Sequence, residues 1–158
     1  MSSGFGMLLA LGIGVVAGLR TMTAPALVVW AAHLGWINLA GSRLSFMDSV
    51  WAVALFSFCA LVEYVVDLVP STPSRTDIGP LSARIVSGLF SGACLSVAAG
   101  WPAGVFALLS GFGAVIGAFG GYEARVRLVR TLRVPDAVIA IPEDLVAIGL
   151  GLLAVSRF

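Results

Sequence analysis

Glu63 and Asp67 stand four residues apart in LVEYVVDLVP (61–70), and a helix through that segment puts both carboxylates on one face. Two carboxylates at that spacing repel unless a cation, a shared proton or water lies between them. Arg20 lies in GLRTMTAP (18–25), between two apolar runs, with Thr21 and Thr23 beside it. A guanidinium inside a membrane span needs an acid, or carbonyls freed from a broken helix, and Glu63 is the most deeply placed acid in the apolar segments. This is the chemistry of binding: Arg20, Thr21 and Thr23 facing Glu63 and Asp67, joined by Glu143 of PEDLV (142–146), suit a small solute or an ion. A salt bridge that only fixes helix packing is the other reading of Arg20 and Glu63.

Chemistry on covalent bonds finds little support. There is one histidine, His33, no G-x-S-x-G and no His, Cys, Asp or Glu set at metal-ligand spacing, so neither a metal nor a cofactor is expected. Cys59 and Cys94 lie far apart inside apolar runs and read as packing residues. GFGAVIG (111–117) resembles part of a dinucleotide fingerprint but has no preceding strand. A membrane-embedded enzyme acting on lipid through Glu63 and Asp67 remains as a minor alternative to a non-enzymatic role.

The elements that position these groups are membrane helices. Of 158 residues, 59% are apolar and 11% charged, and the mean hydropathy of +1.06 lies outside the range of ordinary soluble domains. The apolar runs are continuous, which implies helices and not a barrel. The chain reads as a single all-helical membrane domain with five spans, near 4–34, 47–69, 81–99, 102–121 and 137–156. As one straight helix the first would be about 46 Å long, well over the roughly 30 Å hydrocarbon core. It must tilt, kink or break, and Pro25 with the polar residues before it places the break near Arg20–Pro25, where the same residues fit a segment that crosses once or one that folds back at Pro25. The first run has no basic region ahead of it and is expected to be retained instead of cleaved as a signal peptide.

All nine cations are arginines and the net charge is +1, which suggests no nucleic-acid partner. Arg75 and Arg84 flank one loop, and Arg125, Arg127, Arg130 and Arg133 follow the fourth span. The positive-inside rule puts that side in the cytoplasm of a bacterial inner membrane, with the N-terminus inside as well. YEARVRLVRTL (122–132) reads as an interfacial continuation whose arginines reach lipid headgroups or a protein partner, the alternative to a transport role. Pro142 reads as a helix start, with Glu143 and Asp144 capping it, and Glu123 joins an acidic vestibule facing Arg75, Arg84 and Arg125. His33 and the tryptophans at 30, 36, 51 and 101 read as an aromatic belt. LALGIGVVAG (9–18) aligns with LLSGFGAVIG (108–117), a hint of an inverted repeat, since five spans would run these two in opposite directions. The glycines at 12, 14, 18, 111, 113 and 117 also permit close helix contact, from which a homo-oligomer, most simply a dimer, is expected.

GLRTMTAP after a glycine-rich first span, LVEYVVDLVP closing the second, GAVIGAFGGYEAR (113–125) in the fourth and PEDLVAIGLG (142–151) in the fifth together resemble a bacterial membrane family known as domain of unknown function 4126. The resemblance covers most of the chain. It implies a short multi-spanning architecture with an acidic loop after the proline at 70, whereas here the loop STPSRTD (71–77) holds only Asp77. It implies no activity.

Overall fold

Long apolar runs with few breakers must satisfy their own backbone, and in the computed structural model they do so as helices; the structure describes residues 3–67 and 74–158. In order they are α1 (Ser3–Leu19), α2 (Thr23–His33), a 3₁₀ turn (Ser45–Asp48), α3 (Val50–Val66), α4 (Ile78–Ala98), α5 (Ala103–Leu132) and α6 (Asp136–Val155). No strand occurs among the described residues. The proline at 70 and the start of the loop after it lie outside them.

Contacts along the helices fix their directions. Gly14 of α1 faces Ser110 of α5, and Gly18 faces Ala114 and Ala118, so α1 and α5 run parallel. Gly88 and Gly92 of α4 face Ala114 and Phe106 in the reverse order, so α4 runs antiparallel to both. Phe56 of α3 stacks on Phe90 of α4, while Thr23 and Trp30 of α2 bond Tyr64 and Ser57 of α3. Chain direction therefore alternates through all six helices, and α2 turns back alongside α1. Gly151 of α6 marks the reversal, because a Cβ there would meet Leu27 and Val16 together. The first apolar segment is a hairpin folded at Arg20–Met22, not one crossing.

This corrects three expectations. By length and composition, three helices can cross a membrane, α4, α5 and Val138–Val155 of α6, in place of five; α1 and α3 have 17 residues each and α2 has 11. Because the hairpin reverses direction once more, Ser3 lies at the end of the bundle opposite Arg20, Arg84 and Arg125, so the N-terminus does not share the arginine-rich end. Since α1 and α5 are parallel, their similar glycine pattern is no inverted repeat. The aligned glycines are packing partners, with a Cβ on Gly113 lying 3.1 Å from the Cα of Gly14.

The outer surface is apolar. Leu108, Phe112, Ile116 and Phe119 of α5, Leu55 and Phe58 of α3, and Ile141 and Leu145 of α6 are all exposed, as a bilayer in place of water outside requires. Trp30, Trp36, Trp51 and Trp101 are also exposed, at the end away from Arg20, Arg84 and Arg125. From Ala103, next to Trp101, α5 rises about 30 Å to reach Tyr122, one hydrocarbon thickness. Its last turns, with Arg125, Arg127 and Arg130, continue beyond.

Candidate functional site

The hairpin tip is where the sequence first departs from apolar helix. A turn of three residues leaves carbonyls at the end of α1 and N–H groups at the start of α2 without partners in their own helices. Pro25 falls in the first turn of α2, where its missing N–H removes no helical bond, so it starts that helix and breaks none. Glu63 of α3 accepts from the backbone N–H of Thr21 and of Met22, both at 2.7 Å. Arg84 of α4, 5% exposed, donates from Nε to the Gly18 carbonyl at 3.1 Å, and the Ser87 hydroxyl donates to the Thr21 carbonyl. The signs match the helix dipoles: a carboxylate sits at the N-terminus of α2 and a guanidinium at the C-terminus of α1.

Arg20 is 1% exposed and lies at that tip, held by two acids from two other helices. Its Nε donates to Asp144 Oδ1 at 2.6 Å and its Nη1 to Asp67 Oδ2. The guanidinium carbon also stands 5.1 Å from the centroid of the Tyr64 ring, a cation–π distance, and the Tyr64 hydroxyl bonds the Thr23 hydroxyl at 2.9 Å. The expected partner of Arg20, Glu63, is instead the cap of α2. Nor is Asp144 a cap: α6 begins at Asp136, and Pro142 stands inside the helix.

A second cluster adjoins the first on the arginine-rich end. Arg75, 8% exposed, donates to Glu143 from Nη1 and, at 3.0 Å, from Nη2. Arg125 reaches the same carboxylate at 3.3 Å and Asp136 Oδ1 at 2.7 Å. Gly121 makes room, since a Cβ there would lie 2.9 Å from Arg75 Nη1. The bond from Arg125 holds the Asp136 carboxyl below the usual carboxylate range, against the opposing effect of burial. Such a carboxylate stabilises the fold above its ordinary pKa, and the contribution fades as pH falls through the depressed one. Asp136→Asn is therefore expected to lower the detergent melting temperature slightly at neutral pH, and the difference from wild type to shrink in acid below the ordinary carboxylate range; a difference that grows in acid contradicts the pairing.

The structure thus brings together Arg20, Thr21, Thr23, Glu63, Asp67 and Glu143, and it separates the basic segment. Arg125 turns inward, whereas Arg127, Arg130 and Arg133 are exposed; Arg127 pairs along the helix with Glu123 at 2.8 Å, so Glu123 takes no part in the inner cluster. Sequence reasoning expected Arg75, Arg84 and Arg125 to face acids, and Arg75 and Arg125 do bond Glu143, but it missed the roles of Asp144, Tyr64 and Ser87 and the bond of Arg84 to the end of α1. For Arg84 a signal was available, because it falls inside an apolar span just as Arg20 does. Cys94 is buried, Cys59 partly so, and neither is in a disulfide. Among the described residues no group of three His, Cys, Asp or Glu side chains is placed to hold a metal ion.

A family model described as Domain of unknown function (DUF4126) matches residues 7–157. The chain belongs to that family. No curated protein and no solved structure gives a significant match. The four stretches that carried the resemblance supply Arg20, Glu63, Asp67, Arg125, Glu143 and Asp144, and these side chains meet at one end of the bundle. Chemically, the cluster couples six pieces of chain: the α1–α2 tip, the end of α3, the loop before α4, α4 itself, the last turns of α5 and the first half of α6.

Proposed function

We propose that the protein is a small transporter or channel of the bacterial inner membrane whose solute site is the polar cluster at the α1–α2 tip. The observation that carries this reading is the charge ratio of the joined cluster: among the described residues, the five carboxylates of Glu63, Asp67, Asp136, Glu143 and Asp144 gather with the four guanidiniums of Arg20, Arg75, Arg84 and Arg125. A site with one carboxylate in excess suits a small cation or a proton. Asp67 and Asp144 retain 15% and 24% side-chain exposure, so their carboxylates lie at the mouth of the bundle while Arg20 is sealed behind them. A short helix with its terminus inside the bundle, satisfied by a side-chain carboxylate, is also the kind of broken element from which transporter sites are built.

In this reading α4, α5 and Val138–Val155 of α6 cross the membrane, and the shorter α1, α2 and α3 pack against them within the same bundle. The arginine-rich end faces the cytoplasm, which places Ser3 and Phe158 on the opposite side and reverses the orientation expected for the N-terminus. The test is flux into proteoliposomes under imposed gradients of Na⁺, K⁺ and H⁺. Wild-type protein is expected to carry at least one of them. Asp144→Asn, which leaves Arg20 bonded to Asp67, is expected to abolish that flux while the protein still melts cooperatively in detergent. Absence of flux for all three with wild-type protein, or full flux in Asp144→Asn, ends the reading.

A further inference from the structure

The lipid-facing stripe of α5 does not stop at the edge of the hydrocarbon. Leu108, Phe112, Ile116 and Phe119 are exposed and follow one another at intervals of three or four residues. The same spacing continues through Glu123, Arg127 and Arg130, which places all seven on one helix face. That face meets acyl chains below and carries guanidinium groups above. Arg130 lies about 16 Å beyond Phe119 along the axis, and helical side chains lean toward the N-terminus of their helix. On α5 that lean is back toward the bilayer.

The arginines are also free to take a ligand. Arg127 is 75% exposed and bonds Glu123 through Nε, which leaves its Nη donors open. Arg130 is exposed and makes no ion pair among the described residues, unlike Arg125, whose guanidinium is committed to Asp136 and Glu143. We propose that Arg127 and Arg130 form a binding site for the headgroup of an anionic phospholipid whose acyl chain lies along Phe112, Ile116 and Phe119. The apolar stripe selects an amphiphile, and the paired guanidiniums select a phosphodiester that carries net negative charge.

Native mass spectrometry of the protein in an uncharged detergent, titrated with phosphatidylglycerol or phosphatidylcholine, tests this. Phosphatidylglycerol is expected to bind with clear preference. The double variant Arg127→Gln/Arg130→Gln is expected to bind it about 30-fold more weakly, from about fivefold per arginine near an anionic headgroup. Arg43→Gln, an exposed arginine at the other end of the bundle, is expected to bind it as wild type does. Equal binding of the two lipids, or a double variant that binds like wild type, overturns the proposal. So does full displacement of the lipid by inorganic phosphate, which assigns the arginines to a soluble anion.

Discussion

Replacing Arg20 by Met is expected to prevent the protein from accumulating in folded form, with a loss of about 3–5 kcal/mol, the usual cost of removing one partner from a buried ion pair. The side chain is 1% exposed and bonds two carboxylates at once. Without it the partly exposed Asp67 and Asp144 face each other at the mouth of the bundle with no cation between their charges. The volume of the methionine is adequate, so the loss is electrostatic and can be reversed. Arg20→Met combined with Asp67→Asn and Asp144→Asn is expected to recover much of the melting temperature in detergent. Arg20→Lys is expected to fall between, because a single ammonium cannot reproduce donors aimed at two acids from a planar fork. If Arg20→Met melts like wild type, the bonds at the hairpin tip contribute little and the tip is not the hinge on which α3 and α6 are assembled. If the triple variant folds but carries no cation, the cluster has a role in flux that is separable from its role in folding.

What could be read in the sequence was the existence of that tip. An arginine, two threonines and a proline between apolar runs mark a place where a helix is easily interrupted, and the interruption is there, at Arg20–Met22. The sense of the interruption was not legible. A kink and a full reversal use the same local residues, and the choice rests on bonds from distant segments: Glu63 on the start of α2 and Arg84 on the end of α1. The number of crossings and the placing of the N-terminus both followed from that one choice. Asp144 was misread for a different reason. Proline favours the first turn of a helix, but α6 begins at Asp136, and packing against the bundle tolerates Pro142 inside it. Asp144 thereby lies within the helix and not at its end, one residue past the Glu143 that binds Arg75.

The glycines were legible as contact surfaces but not as to their partner. They pointed to a second copy of the chain, whereas Gly14, Gly18, Gly113 and Gly117 meet one another across α1 and α5 within one chain. Gly18→Val is accordingly expected to be among the most damaging substitutions in the protein. Even a bare Cβ there would lie 2.6 Å from the backbone N of Ala118 and 2.8 Å from the Cα of Gly117, and no rotamer relieves a clash with backbone. Overpacking of a close-packed core costs about 1–3 kcal/mol when side chains can shift; here the two helices must move apart, and the bond from Ser110 to the Ala10 carbonyl, 2.6 Å long, goes with them. We expect loss of about 3 kcal/mol or more and no stable bundle. Gly12 lies on the same helix but a Cβ on it would meet nothing within 4 Å, so Gly12→Ala is expected to melt at or above the wild-type temperature, in line with the better helix propensity of alanine. Melting both variants in detergent separates the two kinds of glycine: equal sensitivity of Gly12 and Gly18 moves the close contact to the outer surface, between copies of the chain, and unequal sensitivity of the expected sign keeps it inside.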